Sequence, residues 1–215
     1  VCWCPILADY AHALDKGDAN CDRDFVGQLA KWQEKSTQLG VWYYQYQYDK
    51  LMPRLMLYPT QRNLQVFRDR GVDQVFIEMN FASFKINEVS DGDKFLPAYA
   101  NAEKYGWFVF PYGLEHVRSY IYARLLWNPD FDVTEGIKEF CDAYYGDAAE
   151  EMNKYAVTLE SLDSYDKTMG SMSPGGGPAG YEGYEGVYMS LLSAPRLKWS
   201  VTQALDKLFD TAEEK

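Results

Sequence analysis

An α/β architecture built on parallel strands is what this sequence predicts, and three observations predict it. Strand-like apolar runs alternate with helix-like stretches through the first 128 residues, the pattern of β/α units around a parallel sheet. Glycines stand where helices have to stop, at Gly40, Gly71 and Gly146. The run Val-Trp-Tyr-Tyr-Gln-Tyr-Gln-Tyr is aromatic on both faces, as expected for a strand covered on both sides.

The elements follow in order. Val1 to Leu7 reads as the first strand. After a polar loop, Asp24 to Thr37 places Phe25, Leu29 and Trp32 at helical spacing, with Gly40 closing the helix. Val41 to Tyr48 is the second strand, followed by a loop holding Pro53 and Pro59. Thr60 to Arg70 makes a short helix with Leu64 and Phe67 on its inner side, and Gln74 to Asn80 the third strand. Residues 81 to 105 read as an irregular insertion with a helical patch near Ala98 to Lys104. Trp107 to Phe110 fits either a short strand or a packed loop.

The remainder is helical. Leu114, Val117, Arg118, Ile121 and Leu125 share one stripe, and Asn128-Pro129 ends it. Asp132 is placed as an N-cap with Glu135 three residues on, opening a helix that runs to Gly146. A further helix spans Asp147 to about Asp166. Seven glycines between Gly170 and Gly186 mark a loop, and Pro195 opens a last amphipathic helix through Leu197, Val201, Leu205 and Leu208.

Composition excludes several classes. The formal charge is −11, with 32 acidic against 21 basic residues and no Lys/Arg cluster, so nucleic acid is not an expected partner. No apolar run is long enough for a membrane span. Aromatics make up 16% of the chain, and these flat amphipathic side chains suit sugar rings, peptides or protein surfaces. Of the cysteines, Cys2 and Cys4 fall on one side of an extended strand, at a spacing that zinc sites rarely use. Small buried thiols are the expectation, with a disulfide from Cys2 or Cys4 to Cys21 open if the protein is exported, and Cys141 in the core. Neither metal nor cofactor is expected.

Chemistry is sought at the carboxyl ends of the strands, where loops converge on a pocket. Glu78 interrupts the apolar run Gln-Val-Phe-Ile-Glu-Met-Asn and shares a face with Phe76 and Asn80. It is the first candidate for a general acid that protonates a glycosidic oxygen. Its bland alternative is a structural ion pair. Glycoside hydrolysis needs a second carboxylate. Asp9 after the first strand is the candidate, with Asp49 and a residue upstream of Val1 as alternatives. His12, Gln45, Tyr46, Gln47, Asn80 and Trp107 are candidate substrate contacts, whereas Trp42 and Tyr44 read as packing against the surrounding helices. Trp107, Tyr112 and the Tyr181 to Tyr188 cluster suit a lid or subsite platform.

Several stretches carry a resemblance: Cys4 to His12, Val41 to Tyr46, Val75 to Asn80, Ser119 to Asp132 (Ser-Tyr-Ile-Tyr-Ala-Arg-Leu-Leu-Trp-Asn-Pro-Asp-Phe-Asp) and Glu139 to Ala149. They resemble a bacterial family described as a domain of unknown function, which looks like a distant relative of alpha-glucuronidases. The resemblance implies the later portion of a (β/α)8 TIM-type barrel followed by C-terminal α-helices. Residues 1–128 are then a partial barrel, and residues 129–215 a helical region with a Gly-rich loop at 168–187. It further implies an exported protein, secreted or periplasmic, whose signal and N-terminal barrel strands precede this chain. The function expected is a glycoside hydrolase acting on polysaccharide-derived oligosaccharides. A non-catalytic carbohydrate-binding barrel is the alternative, and a Cys/His metal-binding protein ranks last.

Overall fold

The computed structural model describes residues 1–5, 13–16, 24–45, 55–79, 83–85, 107–109, 114–165 and 199–214. Within them, β1 (Cys2–Trp3), β2 (Gly40–Gln45) and β3 (Gln74–Met79) form a parallel sheet in the order β1-β2-β3. Helices α1 (Phe25–Gln33) and α2 (Leu57–Asp69) connect the strands, giving the predicted β/α alternation. A separate antiparallel pair joins β4 (Ser83–Lys85) to β5 (Trp107–Val109). The helices α3 (Glu115–Trp127), α4 (Val133–Tyr145), α5 (Ala149–Tyr165) and α6 (Trp199–Glu213) follow among the described residues. The described strands thus form a small parallel sheet in a mostly helical mixed α/β fold, and no closed barrel is present among them.

Register is fixed at the amino ends of β2 and β3. Gly40 pairs with Gln74, and just before them the Asp73 N–H donates to the Leu39 carbonyl while the Leu39 N–H donates to Asp73 Oδ2 at 2.7 Å. One residue of slip would turn every inward side chain outward. With this register Val41, Tyr43 and Gln45 of β2 are buried, and Val75, Ile77 and Met79 of β3 pack beside them.

The core lies on that face. Trp3 meets the ring of Phe25, and Tyr43 meets Phe67 edge-on at 5.8 Å between ring centroids. Leu29, Leu64, Val117, Ile121 and Leu125 complete the layer beneath the sheet, each buried. Full burial of a side chain of this size stabilises by roughly 1.5–3 kcal/mol. The expectation that β2 is covered on both sides is corrected: among the described residues, helices cover one face, and Trp42 and Phe76 on the other are 40% and 54% exposed.

Helix α2 begins earlier than its sequence suggested, because Leu57, Tyr58 and Pro59 form its first turn. Proline is tolerated there, since the first N–H groups of a helix have no partner inside it. The first bond within the helix is Thr60 N–H to the Met56 carbonyl. Met56 enters with φ 50, a left-handed conformation, and no side chain of its own turn caps the helix.

Helix α4 starts as predicted. Asp132 Oδ1 accepts the Glu135 N–H at 3.1 Å, and the helix ends at Gly146 with φ 57. Gly136 lets α4 approach α3 closely: a Cβ there would lie 2.4 Å from the Phe131 ring and 2.7 Å from Ile121. Cys141 is fully buried on the inner side of α4, as expected. The last helix begins at Trp199 among the described residues, and the Gly-rich segment lies outside them.

Candidate functional site

Alternation along β2 and β3 puts Trp42, Tyr44, Phe76 and Glu78 together on the open face, joined at its edge by the exposed Cys2. Tyr44 stands directly opposite Glu78, and Trp42 opposite Phe76. The Trp42 indole Nε1–H reaches diagonally across the strands and donates to Glu78 Oε2 at 2.6 Å. The Trp42 ring packs edge-on against Phe76, with centroids 4.8 Å apart, and lies 6.4 Å from the Tyr44 ring at 28°. Glu78 is half-buried in this aromatic setting, near the carboxyl end of β3.

The neighbouring phenol and thiol feel the same surroundings. Burial raises the Tyr44 phenol above its ordinary value, reinforced by Cys4 and then by the negative charge of Glu78. The Cys4 thiol is also raised, first by partial desolvation and then by Cys2. Cys2 and Cys4 are free and exposed, which corrects the expectation of buried thiols: they face the open side of the sheet, where Trp3 between them faces the core. Cys21 lies outside the described residues.

On the covered face, a polar network sits under the carboxyl end of β2. Gln45 is buried, its Nε2–H donating to Thr60 Oγ1 at 3.0 Å and its Oε1 accepting from Tyr122 OH at 3.2 Å. The fully buried Arg118 donates to the Gln45 carbonyl and, at 2.6 Å, to Glu115 Oε1. Desolvation raises the Glu115 carboxyl, against the opposing pull of Arg118. Below them Asn63 donates to Tyr43 OH at 2.6 Å and accepts the Leu14 N–H at 2.7 Å. The Tyr43 phenol is driven well above its usual range by burial. This network locks the strand end to α2 and α3.

The predicted site residues separate accordingly. Glu78 is where the alternation placed it. Gln45, expected to meet substrate, points instead to the helix side, away from Glu78. Trp107 lies in β5, paired with Lys85, so this segment is a strand and not a packed loop. Asp9, His12, Tyr46, Gln47, Asn80, Asp49, Tyr112 and Tyr181 to Tyr188 lie outside the described residues. Trp42 and Tyr44, read as helix packing, prove to be the side chains beside Glu78. Among the described residues no group of His, Cys, Asp and Glu is arranged to hold a metal ion. An open cavity of about 590 Å3 runs along the amino ends of the strands, lined by Cys2, Gly40, Gln74 and Phe76 among others, and stops short of Glu78.

A family model described as a domain of unknown function (DUF4838) matches residues 1–157. The chain belongs to this family. The DUF4838 domain therefore contains the described parallel sheet, the network under β2 and Glu78 with its aromatic neighbours. No curated protein and no solved structure matches the chain. No helix among the described residues is long and apolar enough to cross a membrane.

Proposed function

We propose that this protein processes carbohydrate, and that the open face of its sheet is the sugar-facing side, with Glu78 as the acid/base carboxylate of a glycoside hydrolase. The observation that carries this reading is the placement of Glu78: a carboxylate near the carboxyl end of a parallel strand, bonded to an indole N–H and bordered by the rings of Trp42, Tyr44 and Phe76. Strand carboxyl ends are where such sheets gather their chemistry. Aromatic faces suit the apolar side of a sugar ring, and a carboxyl group within reach of a glycosidic oxygen serves proton transfer.

Among the described residues the helices cover one face of the sheet and leave the aromatic face open, the arrangement a barrel wall has when its inner side faces a shared interior. This supports the later portion of a (β/α)8 barrel as the parent architecture, completed by further strands of the same protein. An exported, polysaccharide-degrading context fits the same reading.

Hydrolysis requires a second carboxylate, about 5 to 9 Å from the first. Asp9 fills that role in this proposal. A non-catalytic carbohydrate-binding protein is the second reading, favoured by one observation: among the described residues of the open face, Glu78 is the one carboxylate. Incubation with cello-, xylo- and galacturono-oligosaccharides separates the two. New reducing ends support the hydrolase, tryptophan fluorescence changes without new reducing ends support the binding protein, and neither signal overturns both.

A further inference from the structure

We infer that Trp42 is a positioning residue for Glu78, fixing which carboxylate oxygen faces the ligand; this rests on the reading of Glu78 as the reacting carboxylate. The indole N–H occupies Oε2 at 2.6 Å, and among the described residues Oε1 has no hydrogen-bond donor. A charge-assisted bond of this kind is short, directional and stronger than a neutral one. Oε1 is thereby the oxygen left to exchange a proton with a substrate.

The geometry also explains how Trp42 itself is held. Its strand position is set by the Trp42 to Phe76 pairing, one side of its ring meets Phe76 edge-on, and Tyr44 stacks along the same strand. Two aromatic rings, Phe76 and Tyr44, therefore restrain the donor, and the donor restrains the carboxylate. A long flexible side chain on a half-open sheet would otherwise sample several rotamers. Holding a reacting group within a fraction of an ångström is worth a large rate factor. The indole is thus a fixed part of the site although it need not touch the reacting atoms.

The test is a double-mutant cycle on the protein, using whichever of the cello-, xylo- or galacturono-oligosaccharides it hydrolyses fastest. Trp42→Phe keeps a ring and removes the N–H. It is expected to lower kcat roughly 10- to 100-fold with KM little changed. In a Glu78→Gln background the same substitution is expected to cost almost nothing more, because its effect runs through the carboxylate. Trp42→Phe losses that persist undiminished in the Glu78→Gln background overturn the inference, as does a rise in KM with kcat unchanged, which makes Trp42 a stacking platform alone. Glu78→Gln without effect on turnover, or no turnover on any of these sugars, removes the reading of Glu78 and the positioning role with it.

Discussion

Glu160, buried in α5, accepts the backbone N–H of Leu57 at 2.9 Å, and the same oxygen accepts the N–H of Tyr58. A carboxylate more than a hundred residues downstream thus caps the amino end of α2, which its own turn leaves uncapped. Negative charge at a helix amino terminus is favoured by the unpaired N–H groups and by the helix dipole. The contact joins α5 to α2. Replacing Glu160 by Ala is expected to cost about 1–3 kcal/mol, by the scale of caps and of hydrogen bonds to charged groups. Glu160→Gln retains one acceptor oxygen and should lose less. Urea unfolding checks both, and equal stability of Glu160→Ala and wild type would show that the cap contributes nothing.

Arg118 and Glu115 form an ion pair beneath the sheet, with the guanidinium fully buried. Removing one partner strands the other charge away from water. Arg118→Met is expected to destabilise by about 3–5 kcal/mol, whereas the double replacement Arg118→Met with Glu115→Leu should recover much of that loss. Denaturant midpoints of the two variants decide whether the pair acts as a unit.

At Gly136, α4 lies close against Ile121 of α3 and the Phe131 ring. A methyl group there meets the Phe131 ring and the buried Ile121 side chain, so Gly136→Ala should destabilise by about 1–3 kcal/mol despite alanine's better helix propensity. Thermal melting of that variant above the wild-type midpoint would mean the helices separate without cost.

Cys141 is buried, whereas Cys2 and Cys4 are exposed. Burial raises its thiol to about 11 from the ordinary 9.0. The folded form therefore keeps its proton between those values while the unfolded form releases it. The Cys141 contribution to stability is complete below pH 9.0 and is lost as pH rises through about 11. The expected outcome is an alkaline fall in stability that is shallower in Cys141→Ala. Alkylation of the folded protein, mapped by peptide mass, should label Cys2 and Cys4 and spare Cys141 until the chain unfolds.

Local signals made parts of this fold legible. Asp132 and Gly146 bound α4 because capping and helix termination act within a few residues. Glu78 stood out because one carboxylate broke an otherwise apolar strand. Other features depend on pairings that no local pattern reveals. Trp42 and Tyr43 are both large aromatics in one strand, so hydrophobicity could not tell which faced the core; the Gly40 to Gln74 register decides it. Gln45 looked like a ligand contact by position, yet Thr60 and Tyr122 claim its amide from the covered side. The early start of α2 was hidden by Pro59 and by a cap that arrives from Glu160.

Oligosaccharide hydrolysis by wild type and Glu78→Gln, followed as new reducing ends, tests the role of Glu78 most directly. The substitution is near-isosteric and keeps an acceptor for the Trp42 indole, so the fold is expected to persist by circular dichroism. A fall in turnover of about 10²- to 10⁴-fold is the predicted result. Turnover equal to wild type would contradict an acid/base role for Glu78 and leave the aromatic face without its chemistry.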